Sequence, residues 1–444
     1  METFVITGGS SLKGEISIQG AKNVALKIIV CSLLTDDELI IHDIPLLSDV
    51  QCMLDVLAGL GVKYKHSGHT LSLRNTGITN VTVPLDVGAR LRTSSMVVGP
   101  LLARYGKAVI PNPGGCRLGS RPIDRHIDAL QQMGAAIEYD PQDGYFHLTA
   151  KKLTGTTIVF PKNTHTGTET LLLAAVLATG TTVLKNAAEE VEVDDLILLL
   201  NNMGAQIKRT ASREITIHGV DSLHGATHTV MPDRNEEVTF AVAAAITRGS
   251  ITVHKSQRNS LRYFTDAYRK TGAHIRAIDE TTTEYSFSGT PIPVDIQTMP
   301  HPGFMTDWQA PWAVFMTQAA GVSHIHETVF ESRFAYVEEL RKMGADLTFF
   351  EPHVHHPETY YNFNWADRIP DSFQGLTIHG PTKLHNAILT MHDLRAGATL
   401  VLAALIAQGQ SIIHGIEQID RGYERIEDRL RSLGASIARK KEEV

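Results

Sequence analysis

The sequence predicts an α/β protein assembled from six copies of one unit that contains both helices and strands. The first observation is a short phrase in which Leu, Met or Thr precedes a glycine and Ala or Val follows it. The second is a further glycine upstream of most copies, and the third is a chain length that suits six such units. The phrase occurs at residues 60–62, 133–135, 203–205, 271–273, 343–345 and 433–435.

Each copy of the phrase marks the end of a helix and the start of a strand. A helical-looking stretch precedes it, and an alternating apolar stretch follows it, as in residues 136–139 and 206–209. Glycine suits the left-handed residue that ends a helix, and alternation is typical of a strand. The glycines of the phrase lie 68 to 90 residues apart, a longer period than that of the common solenoids.

The second glycine supports the same unit. Gly180, Gly249, Gly321 and Gly409 each follow an apolar helical-looking stretch and lie 23 to 25 residues before the next phrase glycine. Each unit therefore reads helix, glycine, strand, polar stretch, helix, glycine, strand.

Two units deviate from this pattern. In the second unit, Gly106 lies 28 residues before Gly134, which lengthens the loop at residues 111–120. The sixth unit carries an insertion at residues 351–370 that is rich in His, Pro and aromatic residues. Insertions into a repeated scaffold form surface loops, and such loops often carry function.

Length and composition limit the class of protein. A chain of 444 residues is too long for one ordinary core, so six units divide most simply into two domains of three. The absence of long apolar windows and of a signal-like N-terminus predicts a cytoplasmic protein that does not span a membrane. A net charge of −7 disfavours non-specific nucleic-acid binding but permits a small anionic ligand held by a few arginines.

The three cysteines cannot form a disulfide framework. Cys31 and Cys52 lie in apolar periodic stretches and are expected to fill core space. Cys116 lies in the long loop together with Arg117 and Arg121, which favour its thiolate form. Two interpretations stay open from the residues alone: a reactive thiol, or a spare loop cysteine.

The Cys116 loop and several other segments together resemble the UDP-N-acetylglucosamine 1-carboxyvinyltransferases, which belong to the same enolpyruvyl transferase superfamily as the EPSP synthases. The resemblance spans almost the whole chain in the same order. The matching segments are residues 20–23, 91–94, 113–124, 232–234, 302–307, 331–334, 393–396 and 420–425.

The resemblance implies a fold of two inside-out α/β barrel domains built from six repeated βαβαββ-like units, with helices inside and sheets outside. It implies domain bounds of 22–230 for the first barrel, and of 1–21 plus 231–444 for the second. It also implies an active site in the interdomain cleft and an open form that closes over the acceptor.

The implied reaction moves the enolpyruvyl group of phosphoenolpyruvate to the 3-hydroxyl of UDP-N-acetylglucosamine and releases phosphate, a step of peptidoglycan precursor synthesis. It requires no redox cofactor and no metal. By resemblance, phosphoenolpyruvate is held by Lys22, Asn23, Arg121, Arg395 and Arg421.

The catalytic residues implied by the resemblance are Cys116, Asp307, Lys22 and Arg395. Cys116 would deliver a proton to C3 of phosphoenolpyruvate, and it matches the residue that fosfomycin alkylates. Asp307 would act as the base. From local sequence alone, Asp307 also fits an ordinary helix N-cap, and one carboxylate can serve both roles.

The resemblance implies that residues of both domains bind the acceptor. It assigns Arg333, like Asp307, to the second domain's side of the cleft. Residues 164–168 depart from the pattern of the family, which commonly reads Ser-Val-Gly-Ala-Thr where this chain has Thr-His-Thr-Gly-Thr. The implied UDP-sugar residues are Arg92, Arg121, Pro122, Ile123, Asp124, Arg125, Lys162, Asn163, Thr164, His165, Asp307 and Val329.

Three hypotheses therefore stay open: transfer to UDP-N-acetylglucosamine, the same transfer to another nucleotide or nucleotide sugar, and a non-catalytic paralogue that binds nucleotide sugar. A monomer or weak homo-oligomer is expected. The histidines of residues 353–356 lack a partner at ligand spacing, so a surface loop is favoured over a metal site.

Overall fold

The computed structural model of the protein describes residues 2–112 and 123–441, apart from the side chain of Arg395. Cys116, Arg121 and Pro122, which the sequence predicts to be functional, lie outside the described residues.

Strands occur throughout the described chain. They are β1 Glu2–Thr7, β2 Lys13–Ser17, β3 Glu38–His42, β4 Val62–Ser67, β5 Thr70–Asn75, β6 Lys107–Pro111, β7 Ala136–Asp140, β8 Tyr145–Thr149, β9 Thr157–Val159, β10 Thr181–Lys185, β11 Gln206–Ala211, β12 Glu214–His218, β13 Thr227–Thr229, β14 Ser250–His254, β15 His274–Ala277, β16 Thr282–Ser286, β17 Ile296–Gln297, β18 Gly321–His326, β19 Asp346–Phe350, β20 Gly375–Gly380, β21 Ile388–Thr390, β22 Gln410–His414 and β23 Ser436–Lys441.

Helices alternate with these strands. The α-helices are α1 Lys22–Ile28, α2 Ser48–Leu60, α3 Leu85–Arg90, α4 Val98–Tyr105, α5 Asp124–Gln132, α6 His165–Ala175, α7 Val191–Asn202, α8 Arg234–Ile246, α9 Arg262–Lys270, α10 Gln309–Met316, α11 Val337–Lys342, α12 Pro357–Tyr360, α13 Leu394–Ile406 and α14 Ile426–Ser432. The 3-10 helices are Ile29–Leu34, Arg92–Val97, Arg258–Leu261, Thr306–Trp308, Trp365–Asp367 and Ile416–Arg421.

The strands of the described ranges form six sheets with one common plan. Five have four strands, in which a parallel pair is followed by two antiparallel pairings, as in the order β9-β10-β12-β11. The sixth, β6-β8-β7, lacks the parallel strand, and a single parallel bridge between Thr82 and Val109 stands in its place. Six sheets of one plan are what a unit copied six times produces.

The repeated phrase does what its sequence predicts. Its six glycines all have positive φ, between 88° and 117°, at the C-terminal ends of α2, α5, α7, α9, α11 and α14. Each is followed by a strand: β4, β7, β11, β15, β19 or β23. A residue without a Cβ adopts this left-handed conformation without strain, which explains why glycine ends these helices.

The chain divides into two compact units. The N-terminal unit comprises described residues from 20 to 231, and the C-terminal unit comprises residues 2–19 and 232–441. β1 pairs with β22 and β23, and β2 pairs with β14, so the start of the chain belongs to sheets of the C-terminal unit. β13 pairs with β3 and joins the two ends of the N-terminal unit.

Buried helices fill the inside of each unit. Every residue of α8 and α10 is buried, and these two helices pack against α13 in the C-terminal unit. In the N-terminal unit, α4 packs against α6. Each unit has its own apolar core. The predicted α/β fold with six repeated units and internal helices is therefore confirmed.

Smaller predictions have mixed outcomes. Cys31 is fully buried, as expected, and burial raises the pKa of its thiol far above the usual range. Cys52 is only half-buried at the edge of the core. Within residues 2–112 and 123–441, no helix is long and apolar enough to cross a membrane.

The insertion at residues 351–370 is anchored by its aromatic side chains. Tyr361 and Phe363 are buried, and the rings of Tyr361 and Trp365 stack with centroids 4.7 Å apart. His353 and His355 are exposed, with ring centroids 5.2 Å apart. The insertion therefore packs onto the C-terminal unit and presents its histidines to solvent.

Candidate functional site

Lys22 is the first residue of α1 and is buried beside an acid. Its Nζ lies 2.6 Å from Oδ2 of Asp49, which lies in the first turn of α2, and each side chain is only 9% exposed. Asn23 follows and is half-buried. A lysine so enclosed is held in one place, which suits a cation that must meet one group of a ligand.

The run from Lys162 to His165 leads into α6. Lys162 is half-buried, and Nδ2 of the buried Asn163 donates to the carbonyl oxygen of Asn186 over 3.2 Å. Thr164 is the N-cap of α6, and its Oγ1 accepts from the N–H of Gly167 over 3.2 Å. Gly167, which stands one position later than the glycine of the family pattern, therefore donates the hydrogen bond that caps α6.

His165 does not point away from the unit but joins a buried charge cluster. Its Nε2 lies 3.1 Å from Oε1 of Glu169, and Nζ of Lys27 lies 3.2 Å from the same oxygen. Burial opposes charge on His165, but Glu169 and then Glu190 outweigh it and raise the pKa of His165. Burial likewise opposes ionisation of Glu169, but His165 and Lys27 prevail and lower its pKa.

A second histidine lies close to two of the predicted acceptor-binding arginines. His126 of α5 is buried, and its Nε2 lies 3.1 Å from Oγ1 of Thr166. Burial, and then the positive charges of Arg92 and Arg125, lower the pKa of His126 to about 4. His126 is therefore neutral at pH 7 mainly because it is buried, and the positive charges of Arg92 and Arg125 beside it favour an anionic ligand.

Arg92, Ile123, Asp124 and Arg125 lie near helix starts in the N-terminal unit. Arg92 begins the 3-10 helix Arg92–Val97, which packs against α1 and α6. Ile123 is buried directly before α5, Asp124 is exposed in its first turn, and Arg125 is half-buried. Burial lowers the pKa of Arg125, an effect that Asp124 opposes. The 3-10 helix that begins at Arg92 thus lies against α1, the helix that begins at Lys22.

Asp307 lies in the C-terminal unit and forms an ion pair with Arg333. Oδ1 of Asp307 accepts from Nη2 of Arg333, a buried arginine whose guanidinium also lies 5.6 Å from the ring centroid of Phe330. The helix-cap interpretation of Asp307 is wrong. The N-cap positions here are Met305 and Trp308, because a 3-10 turn, Thr306–Trp308, precedes α10.

Val329 and Thr306, the residue directly before Asp307, share one partner. The N–H groups of Val329 and Phe330 donate to Oε1 of the buried Glu327 over 2.7 and 3.0 Å. Oε2 of Glu327 accepts from Oγ1 of Thr306 over 2.8 Å. The structure therefore brings together the two C-terminal residues predicted to meet the acceptor sugar.

Arg395 and Arg421 lie on two elements in contact. Arg395 is the second residue of α13, whose start is capped by Oδ1 of Asp393 through the N–H of Ala396 over 3.0 Å. Arg421 ends the 3-10 helix Ile416–Arg421, which packs against α13. A Cβ on Gly422 would lie 2.4 Å from Cδ2 of Leu394, so the glycine permits this close approach.

One group of described side chains has the spacing of a metal site. Ligand atoms of Asp140, Asp143 and His147 lie within 4.8 Å of one another on the β7–β8 hairpin. Nε2 of His147 already lies 2.8 Å from Oδ2 of Asp143, so these two side chains contact each other directly. The group includes none of the residues that the sequence singles out.

The sequence profile of EPSP synthase (3-phosphoshikimate 1-carboxyvinyltransferase) matches residues 6–430 of the chain. The chain belongs to the EPSP synthase family. The resemblance inferred from the motifs is therefore confirmed, as is the prediction that the protein is a transferase of this type.

Curated relatives of this EPSP synthase family member carry a more specific name. A protein of Magnetococcus marinus named UDP-N-acetylglucosamine 1-carboxyvinyltransferase is 43% identical over 442 residues, which cover 99% of each chain. A protein of Acidobacterium capsulatum with the same name is 41% identical over 443 residues, or 99% of this chain and 96% of its own.

Solved structures place the EPSP synthase family member in the same fold. The enolpyruvyl transferase NikO from Streptomyces tendae superposes with a TM-score of 0.86 at 23% identity, covering 100% of this chain and 99% of its own. EPSP synthase from Acinetobacter baumannii superposes with a TM-score of 0.75 at 18% identity, covering 99% and 100%. At these identities the likeness establishes the fold alone.

Sequence reasoning missed several residues that this family member places beside the predicted ones: Asp49, Lys27, Glu169, His126 and Glu327. Each is a charged or titratable side chain that is more than nine-tenths buried. Only Asp49 had a local signal, since an acid one residue after a helix start is common. The others become recognisable when tertiary contacts are known.

Proposed function

We propose that this chain transfers the enolpyruvyl group of phosphoenolpyruvate to the 3-hydroxyl of UDP-N-acetylglucosamine and releases phosphate. One observation carries the proposal: relatives with 39–43% identity over nearly the full length all bear the name UDP-N-acetylglucosamine 1-carboxyvinyltransferase. Transfer to another nucleotide or nucleotide sugar, and a non-catalytic role, are not favoured by these relatives.

The proposed phosphoenolpyruvate site consists of Lys22, Asn23, Arg121, Arg395 and Arg421. Phosphoenolpyruvate carries phosphate and carboxylate charges, so it requires several cations that have already lost most of their water. Charge-assisted hydrogen bonds contribute about 1.5–3 kcal/mol each. The buried Lys22 supports this role, because its Nζ is fixed by Asp49 before any ligand arrives.

The proposed chemistry has two balanced steps. The sugar 3-oxygen bonds to C2 of phosphoenolpyruvate while the C2–C3 π electrons take a proton, proposed to come from the Cys116 thiol. The hydroxyl proton leaves to Asp307. In the second step a C3 proton returns to the Cys116 thiolate, the C2–C3 double bond forms again, and the C2–O bond breaks as phosphate leaves with the proton held by Asp307. The ion pair with Arg333 supports the base role, because it orients an ionised Asp307 carboxylate.

The acceptor is proposed to contact both groups of residues. Arg92, the run 121–125 and the run 162–165 would serve the nucleotide diphosphate, while Asp307 and Val329 would serve the sugar. The changed run at 164–168 is compatible with this proposal, since the His165 side chain pairs with Glu169 but stays 24% exposed, and Thr164 caps the start of α6. We further propose that the chain has two domains, residues 22–230 and residues 1–21 plus 231–444, which bind the two substrates together. We also propose that the protein is cytoplasmic and is a monomer or a weak homo-oligomer.

Phosphate release from phosphoenolpyruvate, measured with a panel of acceptors, tests the proposal. We expect turnover with UDP-N-acetylglucosamine and a product heavier by one carboxyvinyl group. Lys22→Met should abolish most turnover, whereas Lys63→Met, at an exposed lysine of β4 in the same unit, should not. Preference for a different nucleotide acceptor would replace the proposed substrate, and no acceptor-dependent release at all would refute the activity.

A further inference from the structure

Glu327 is a buried carboxylate for which the proposed reaction has no direct use. It follows β18, its exposed fraction is 0%, and its own N–H donates to the carbonyl oxygen of Gln374 over 2.8 Å. Ionised groups are rarely buried so completely unless they are compensated. The groups that donate hydrogen bonds to Glu327 show which segments it holds in place.

The two oxygens of Glu327 bind two different segments. Oε2 accepts from Oγ1 of Thr306, the residue directly before Asp307, over 2.8 Å. Oε1 accepts from the N–H of Val329 over 2.7 Å and from the N–H of Phe330 over 3.0 Å. One carboxylate thus links the turn that carries the proposed base to the segment that carries the proposed sugar contact.

A direct ion pair closes this connection into a ring. Asp307 pairs with Arg333, which lies at the end of the segment that begins at Val329. With Glu327 at one end and the Asp307–Arg333 pair at the other, the two segments are held together at two points. A shift of either segment would break hydrogen bonds to a fully buried carboxylate, which is costly because no water replaces them.

We propose that Glu327 is a positioning residue for enolpyruvyl transfer, which fixes the Asp307 carboxylate relative to the sugar-contacting backbone at Val329. The inference rests on the proposed function for the roles of Asp307 and Val329. Glu327 touches no reacting atom in this proposal. Its effect on the reaction comes through the N–H groups and the hydroxyl group that donate hydrogen bonds to it.

A carboxylate suits this position better than an amide of the same size. Glutamine offers one acceptor oxygen, so its NH₂ group must face either Thr306 or the N–H groups of Val329 and Phe330. The hydroxyl of Thr306 can rotate to accept, but two backbone N–H groups cannot. Glu327→Gln should therefore keep the fold, with the amide NH₂ facing Thr306, and weaken the link because hydrogen bonds to a neutral amide are weaker than those to a carboxylate.

Glu237 provides a matched control in the same unit. It is also fully buried, and its carboxylate accepts from Oγ of Ser256 and from the hydroxyl of Tyr285, each over 2.6 Å, and from the N–H of Gln257 over 2.5 Å. Like Glu327, it accepts three hydrogen bonds, here from two hydroxyls and one backbone N–H, but its partners carry no proposed role. Glu237→Gln should therefore lose similar stability without a kinetic effect.

The experiment compares kcat, KM for the acceptor and melting temperature in the wild type and the variants. Misplacement of a reacting group by about 1 Å can cost on the order of 100-fold in rate, so Glu327→Gln should lower kcat by about 10- to 100-fold. It should also raise KM for UDP-N-acetylglucosamine. Glu237→Gln should keep both constants within about two-fold below its melting temperature.

Thr306 gives an independent test if Glu327→Gln does not fold. Thr306→Val removes the hydroxyl and should lower kcat with little change in KM, whereas Thr306→Ser keeps the hydroxyl and should restore kcat. An active wild type with unchanged kinetics in Glu327→Gln and Thr306→Val would overturn the inference alone, as would equal losses in Glu327→Gln and Glu237→Gln. A wild type that is inactive with all acceptors would overturn both this inference and the proposed function.

Discussion

The ion pair of Lys22 and Asp49 leads to a prediction with two parts, a loss of stability without ligand and a larger gain in stability from an added anion. Asp49→Asn removes the negative charge that lies 2.6 Å from Nζ of Lys22 and leaves the shape of the side chain almost unchanged. The variant should be less stable than the wild type when no ligand is present. It should also gain more stability from an added anion, because Lys22 then lacks a competing carboxylate.

The size of the first effect follows from the burial of the pair. Removing one partner of a buried ion pair costs about 3–5 kcal/mol. Both side chains keep 9% exposure, and the asparagine oxygen still accepts a hydrogen bond, so we expect about 3 kcal/mol. In a domain of 150–250 residues, each kcal/mol shifts the melting temperature by about 2–4 °C, which gives roughly 6–12 °C.

Thermal unfolding with and without phosphate or phosphoenolpyruvate measures both effects. A ligand that binds only the folded state raises stability by RT ln(1 + [L]/Kd), so tighter binding appears as a larger increase in melting temperature. Asp86→Asn is the control, because the Asp86–Arg90 pair lies in the same unit and is 76% and 69% exposed. Such pairs contribute less than about 1 kcal/mol.

Two results would contradict this reasoning. If Asp49→Asn melts at the wild-type temperature, the pair does not compensate the burial of Lys22. If phosphate and phosphoenolpyruvate stabilise the variant no more than the wild type, Lys22 does not face the anion, and its proposed place in the phosphoenolpyruvate site is wrong.

Three further predictions concern the chemistry and its pH dependence. Fosfomycin should alkylate Cys116, while Cys116→Asp should resist the drug and remain active; intact-mass measurement that finds no adduct with acceptor present would count against the role of the thiol. Asp307→Asn should lower kcat by about 10²–10⁴-fold, and it should also lower the melting temperature because the buried Arg333 loses its charged partner; wild-type kcat would exclude Asp307 as the base. Because Glu169 raises the folded-state pKa of His165 above 6.5, the stability from this pair is full below pH 6.5 and is lost as pH rises through the folded pKa. Urea unfolding should show the advantage of wild type over His165→Gln shrinking from pH 6 to pH 9, and a constant difference would mean that His165 is not charged in the folded state.

Much of the fold was predictable because the repeat is written in local sequence. A glycine at a helix end needs positive φ, and the alternation after it specifies a strand, so residues 60–67 and 203–211 already show the unit. The exchange of β1 and β2 into the C-terminal sheets was not visible in the same way, because strand pairing across hundreds of residues leaves no local mark. It entered only through the family resemblance.

The candidate site was predictable as far as its motifs extend. Lys22 and Asp307 stand in motifs, but their partners Asp49 and Arg333 differ from them in sequence position by tens of residues, and only folding brings them together. The N-cap interpretation of Asp307 failed because a 3-10 turn, Thr306–Trp308, precedes α10, so Asp307 lies inside that turn and not at an N-cap position. Glu327 was missed because its role depends on partners that no spacing rule reveals.

The most direct test of the central claim is the identity of the product. The purified chain would be incubated with UDP-N-acetylglucosamine and carbon-13-labelled phosphoenolpyruvate, and the product would be examined by NMR. The account predicts a vinyl ether whose labelled C2 couples to the proton on C3 of the sugar. A labelled carbon attached at another position or another molecule, or labelled phosphoenolpyruvate recovered unchanged, would contradict it.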